Sequence, residues 1–241
     1  MTRFSFVPSL RDFFLHIVYP SFCLHCQDSL SKGRKILCSV CIELLQPINH
    51  TVRCPRCFSE DYHPLHQGCS TCAKRQNIYK YAAVFEYIGP IVSILKQLKY
   101  SSQHYLSKAC GAYMAAYLLE IGWPIPDVIV PVPISPSHWI KRGYNQSSLL
   151  GKSIGKILSR KTQNALKRTS LDYSQTKLNH KQREEMRADG IRVKNKQNLM
   201  DKNILIVDDV LTTGKTLESC ASALLEECPS SIYALTLCIV G

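Results

Sequence analysis

Nowhere does this chain of 241 residues hold an apolar run of about 18, so no membrane-spanning helix is expected. A secretory signal is missing too. The apolar stretch 4–22 is broken by Arg11, Asp12 and His16 and lacks a small-residue cleavage site, so a cytoplasmic protein is expected. Phe13, Phe14, Ile17 and Val18 in that stretch read as a short amphipathic helix packed on the protein rather than as a membrane anchor. Acidic residues are scarce: 18 Asp and Glu against 30 Lys and Arg leave a formal charge of +12. The imbalance is local, with 16 Lys and Arg against 5 Asp and Glu over residues 141–202. Such a surface suits polyphosphates or nucleic acid, and it equally describes a merely solvated basic face.

What is abundant is cysteine, with 12 residues. A disulfide framework belongs to much shorter chains, and eight of the cysteines fall into C-x-x-C pairs, which favours metal in a reducing compartment. The pairs are Cys23/Cys26, Cys38/Cys41, Cys54/Cys57 and Cys69/Cys72, with eleven residues between pairs in each half, so the unit is repeated. Two such knuckles complete a tetrahedral S4 shell, and two structural Zn2+ ions are expected, each closed to substrate. Sequential pairing, first four and last four, is the simpler arrangement, and a cross-braced one stays open. His25, His63 and His66 read as surface residues, and Cys110, Cys220, Cys228 and Cys238 as small core residues.

No C-x-x-C pair follows Cys72, and beyond residue 79 the composition shifts to alternating apolar runs, which divides the chain into a cysteine-rich module, 1–75, and a second domain, 76–241. In the second part, strands are expected at 81–88, 127–132, 204–207 and 232–240, and helices at 90–98, 103–121, 146–158 and 216–227. Alternation of this kind gives an α/β fold with a mostly parallel sheet flanked by helices. Residues 167–202 lack an apolar period and read as a long functional loop with weak strand or helix pieces.

The sharpest signal is residues 204–217, ILIVDDVLTTGKTL. A buried strand leads to Asp208 and Asp209, a turn carries Thr212, Thr213 and Gly214, and a helix opens at once. Backbone amides and the positive helix end converge there, Thr212, Thr213 and Thr216 add hydroxyls, and Gly214 permits close approach, so the turn suits a phosphate. An ATP-type P-loop is excluded because Asp209 stands where that motif needs its first glycine. The acid pair fits a magnesium site, a clamp on a ribose diol or a helix cap, and a ribose 5-phosphate would satisfy both ends of the segment.

The strand, the acid pair and Thr-Thr-Gly-x-Thr together resemble the phosphoribosyl pyrophosphate (PRPP) signature of class I phosphoribosyltransferases. The whole chain is similar to the ComF family of competence-associated proteins, in the Tyr19-Pro20-Ser21-Phe22 lead-in, Leu95-Lys96-Gln97-Leu98-Lys99-Tyr100, Val130-Pro131-Val132-Pro133 and Lys141-Arg142-Gly143-Tyr144-Asn145-Gln146. The resemblance implies a class I phosphoribosyltransferase-like domain behind a small zinc-ribbon-like module, related to amidophosphoribosyltransferases. It implies PRPP, with Mg2+, on Asp208, Asp209, Val210, Leu211, Thr212, Thr213, Gly214, Lys215 and Thr216, with Pro133, Arg142 and Asn145 at the pyrophosphate and Lys99 reaching a phosphate. Asp208, Asp209 and Arg142 would carry any catalysis. The bland alternative for Arg142 is an exposed residue of a structural turn, and Lys99 can equally be a helix-end lysine on the dipole. Gln175, Leu178 and Arg183 match the family's mobile loop, whereas Met186 and Gly190-Ile191 depart from it.

The implied role is DNA uptake in natural transformation, with phosphoribosyl transfer to an acceptor that no residue identifies. A rival from another class is a non-catalytic single-stranded DNA-handling protein that takes PRPP as ligand or regulator, partners other competence proteins and stacks bases on Tyr144 and Tyr173.

Overall fold

The computed structural model describes residues 22–30, 36–62, 69–100, 105–168, 190–194 and 198–241. Described elements in chain order are helix α1 (Ser39–Glu43), strand β1 (Lys80–Glu86), helices α2 (Pro90–Tyr100) and α3 (Tyr105–Glu120), strand β2 (Val128–Pro131), helices α4 (Pro136–Arg142) and α5 (Gln146–Leu158), strands β3 (Lys161–Thr162), β4 (Leu166–Arg168), β5 (Ile191–Val193) and β6 (Asn203–Leu211), helix α6 (Lys215–Leu224) and strand β7 (Ser231–Ile239). Five strands form one sheet in the order β1-β7-β6-β2-β3, every pair parallel, and β4 and β5 form a separate antiparallel pair.

The order follows from apolar content. Ile204, Leu205, Ile206 and Val207 are all buried, as are Ala234, Leu235, Leu237 and Cys238, which suits strands covered on both faces by helices. Strands β6 and β7 accordingly occupy the middle. Helix α3 buries Leu106, Cys110, Met114, Tyr117 and Leu118, the positions its spacing marks. It crosses α5 so closely that a Cβ on Gly111 would lie 2.4 Å from the Ser153 Cβ. The mostly parallel sheet flanked by helices is therefore as expected.

Three expectations need correction. First, β6 does not end before the acids but runs through them to Leu211, because β7 keeps pairing with it at Asp208↔Thr236 and Leu211↔Ile239 after β2 has stopped at Pro131↔Val207. Second, the turn after residues 130–133 contains a helix, α4. Ser135 caps it by accepting from the His138 amide (3.3 Å), Pro136 pre-sets its first turn, and Gly143 (φ 73) ends it. Third, of the four cysteines outside the pairs, Cys110, Cys220 and Cys238 are buried, but Cys228 is exposed at φ 52, where it closes the turn after α6.

The cysteine-rich part is bonded to the sheet rather than strung beside it. The Ile48 amide donates to the Val84 carbonyl (2.8 Å), Tyr81 to Arg56 (2.8 Å), and the Tyr117 hydroxyl to Ile48 (2.8 Å). Leu30, Leu37, Ile48 and Phe58 belong to the same buried cluster as the sheet residues. Among the described residues, no helix is long and apolar enough to cross a membrane.

Candidate functional site

The eight paired cysteines gather into two sequential sets, Cys23, Cys26, Cys38 and Cys41, then Cys54, Cys57, Cys69 and Cys72, with the sulfurs of each set within 4.8 Å of one another. Bonds of about 2.3 Å in a tetrahedron imply edges of about 3.8 Å. Observed separations of 3.6 Å for Cys26–Cys38, 3.5 Å for Cys54–Cys72 and 3.3 Å for Cys57–Cys69 are close to that. Backbone amides turn toward the sulfurs as in a knuckle, the Cys38 amide donating to Cys23 Sγ at 3.4 Å. Burial works to raise the Cys23 thiol, but the amides of Cys26, Cys38 and His25 outweigh it and bring it down to about 6. The donor set fits a closed structural zinc site. His25 is engaged elsewhere, its Nδ1 3.1 Å from Ser93 Oγ, while His63 and His66 lie outside the described residues.

The second centre lies at the carboxyl end of β6, where the parallel sheet meets the amino end of α5. Asp209 is buried, and its Oδ2 accepts from Lys99 Nζ at 3.1 Å and from Gln146 Nε2 at 3.3 Å. Asp208 Oδ1 accepts from the Ser147 hydroxyl at 2.7 Å and from the Asp209 amide at 2.9 Å. Burial, and then the charge of Asp209, push the Asp208 carboxyl up to about 7, against the pull of Ser147, the Asp209 amide and Lys99. The repulsion of two adjacent carboxylates favours a proton or a cation at the pair.

Arg142, last residue of α4, joins this network through Gln146, whose Oε1 accepts from Arg142 Nη1 at 3.1 Å. Its guanidinium lies 5.2 Å from the Tyr100 ring centroid, beside Lys99 on α2. Lys99, Arg142, Asp208 and Asp209 are thus brought together, with Gln146 and Ser147 as the connecting side chains. Asn145 is committed on both sides of its amide, accepting from the Ser147 amide at 3.0 Å as the cap of α5 and donating to the Val132 carbonyl at 2.8 Å. It pins α5 to the end of β2, and Pro133 follows at the lip of a groove.

Beyond the acids, Val210 is half-buried and Leu211 is buried, its carbonyl accepting from the Val240 amide at 2.9 Å. Thr212 and Thr213 are exposed, Gly214 stands at φ 81, and α6 opens with exposed Lys215 and half-buried Thr216. First-turn amides of a helix have no acceptor within it, so Lys215 and Thr216 present donors to the bend. The Lys215 amide already reaches Thr213 Oγ1 at 3.4 Å. A tetrahedral oxyanion fits such a bend.

Two participants are invisible to sequence reasoning. Arg75, buried, donates through Nη2 to the Thr212 carbonyl at 3.2 Å and through Nη1 to the Cys57 carbonyl. Glu218, in the first turn of α6, accepts from the Asn77 amide at 3.0 Å and from the Tyr81 hydroxyl. The contacts to Thr212 and to Glu218 span 137 to 141 residues, and no local pattern announces them. Gln175, Leu178, Arg183, Met186 and Tyr173 lie outside the described residues, whereas Gly190 (φ 58) precedes β5 and buried Ile191 opens it.

A parallel sheet with an acid pair and a Thr-Thr-Gly bend at its carboxyl edge defines a phosphoribosyltransferase-type α/β domain, and residues 151–240 match the phosphoribosyl transferase domain family. At the level of the whole chain, it is 26% identical to Competence protein F of Haemophilus influenzae over 84% of this chain and 90% of that protein. It is 28% identical to DNA utilization protein YhgH of Escherichia coli over 92% and 98%. Identity to Competence protein ComFC of Bacillus subtilis is 25%, over 82% and 81%. These relatives bear out the ComF resemblance along most of the chain.

Proposed function

We propose that the protein binds PRPP with Mg2+ at the carboxyl end of β6 and serves DNA uptake; its relatives are named for competence and for DNA utilization. The observation that carries this is the joining of Lys99, Arg142, Asp208 and Asp209 in one network beside the Thr212–Thr213–Gly214 bend. Asp208 and Asp209 hold the ribose hydroxyls, and Thr212, Thr213, Gly214, Lys215 and Thr216 hold the 5-phosphate. Lys99 and Arg142 face the pyrophosphate. In transfer, the bond from the anomeric carbon to pyrophosphate breaks as the bond to the acceptor forms, and pyrophosphate leaves with the electron pair. This chain's share is positioning and charge stabilisation. Arg142 and Lys99 offset negative charge on the leaving group, while Asp208 and Asp209 favour positive charge on the ring. The two cysteine sets hold two structural zinc ions, and 1–75 and 76–241 act as two modules.

Pyrophosphate release from PRPP over a panel of bases and amines tests the transferase claim, with Asp208→Asn and Asp209→Asn as controls. Release at least tenfold above both variants is expected, and none above them reduces the protein to a PRPP binder.

A second reading, single-stranded DNA handling, has its own observation. A groove between α4, α5 and the β4–β5 pair is lined by Trp139, Tyr144, Lys152, Lys167, Arg168 and Lys194. Trp139 is 51% exposed and can stack a base, whereas the Tyr144 hydroxyl is tied to the Leu98 carbonyl at 2.6 Å. With four cations on the strand, log K against log salt should fall with a slope of about −3. A slope near zero, or no loss in Trp139→Ala, dismisses this groove.

A further inference from the structure

Among the described residues, two arginines of the cysteine-rich part are buried, and their partners differ. Arg53 is 7% exposed and meets carboxylates, Glu86 of β1 and Glu60, the latter at 2.6 Å. Arg75 is 5% exposed and, among the described residues, has no carboxylate within 4 Å. Its partners are the carbonyls of Cys57 and Thr212 and the face of Tyr81, 4.9 Å from centroid to Cζ. Among the described residues, two buried side-chain polar atoms lack a hydrogen-bond partner, Arg75 Nε and Arg142 Nε; Arg142 joins the acid pair through Gln146, and Arg75 lies against the bend. A buried cation without a counter-charge is costly unless an anion compensates it.

Two anions are in reach of that compensation. One is the second cysteine set, since a divalent metal with four thiolates carries a formal charge of about −2. The other is a phosphate in the bend. Arg75 lies directly against the backbone of the bend, where a Cβ on Gly214 would come within 2.9 Å of its Nε. Glu218 adds a second tether by holding the Asn77 amide and Tyr81.

We propose that Arg75 is a positioning residue through which the metal set Cys54, Cys57, Cys69 and Cys72 holds the phosphate bend in its binding shape, so that affinity for a 5-phosphate ligand depends on metal in that set. The inference rests on reading residues 212–216 as a phosphate loop. Arg75 holds the Thr212 carbonyl and packs against the left-handed Gly214. Loss of the metal frees the Cys57 carbonyl, Arg75 loses its anchor, and the bend relaxes.

The test uses the full chain, with zinc quantified, amide hydrogen exchange followed at residues 212–216 and at 204–207, and PRPP titrated with Mg2+. In Arg75→Lys, zinc content and protection of 204–207 should hold, exchange at 212–216 should quicken about tenfold, and PRPP should bind about tenfold more weakly, because one charged fork can no longer bridge both carbonyls. Chelation of zinc from the unaltered protein provides a second arm, should that variant fail to fold. There the bend should lose protection before residues 204–207 do. Unchanged exchange at 212–216 in zinc-replete Arg75→Lys, or bend and strand opening together on chelation, overturns the coupling. Absence of PRPP binding to the unaltered protein would instead sink the ligand assignment, and exchange would still decide the role of Arg75.

Discussion

At the scale of single residues, Asp208 makes the clearest prediction. Its carboxyl is pushed up to about 7 in the folded protein by burial and by Asp209, against an unfolded value near 3.8. The folded state therefore holds a proton that the unfolded state has released between those two values, and stability on this group's account falls as pH rises from about 4 through 7. Asp208→Asn should raise the melting temperature by a few degrees at pH 8 and leave it nearly unchanged at pH 4, a contrast that scanning calorimetry at the two pH values checks. Bound cation should oppose the same penalty, so magnesium with PRPP should release protons near pH 7. Lys99, its side chain 25% exposed, contacts the buried Asp209 at 3.1 Å. Lys99→Ala should lower the melting temperature, because it leaves a buried carboxylate without its cation. It should also weaken PRPP about tenfold in a titration, because a charge facing phosphate is lost.

Among elements, the strand–bend–helix unit from β6 to α6 was legible from its residues, and the carboxyl end of the sheet is where it lies. What local sequence could not show is that β6 continues through Asp208 and Asp209, since that depends on how far β7 outruns β2. Helix α4 has ordinary start and stop signals in Ser135, Pro136 and Gly143, but the prolines at 131 and 133 favour a turn in the same segment. The roles of Gln146 and Ser147 arise because Asn145 fixes α5 against β2, a contact set by packing and not by spacing. At Gly214, a left-handed φ of 81 and the pressure of Arg75 act together. Gly214→Ala should cost about 1–3 kcal/mol in denaturant unfolding, and a loss below about 0.5 kcal/mol would show the bend to be less constrained than described. Cysteine spacing was the most legible feature of all, because a tetrahedral shell needs two close pairs and tolerates little else.

Taken whole, the molecule joins a cysteine-rich part and a sheet through shared core and through Arg53, Arg75 and Glu218, and zinc removal should be felt beyond the knuckles. Chelation should lower the melting temperature of the entire chain, while an unchanged sheet transition would mean the two parts fold independently. The central claim is that a ribose phosphate sits between the acid pair and the threonine-rich bend, and isothermal calorimetry of PRPP added to zinc-replete protein with magnesium tests it most directly. Saturable heat at one site per chain, weakened at least tenfold in Asp209→Asn, is the predicted result. No heat at millimolar PRPP, or equal affinity in the variant, would contradict it.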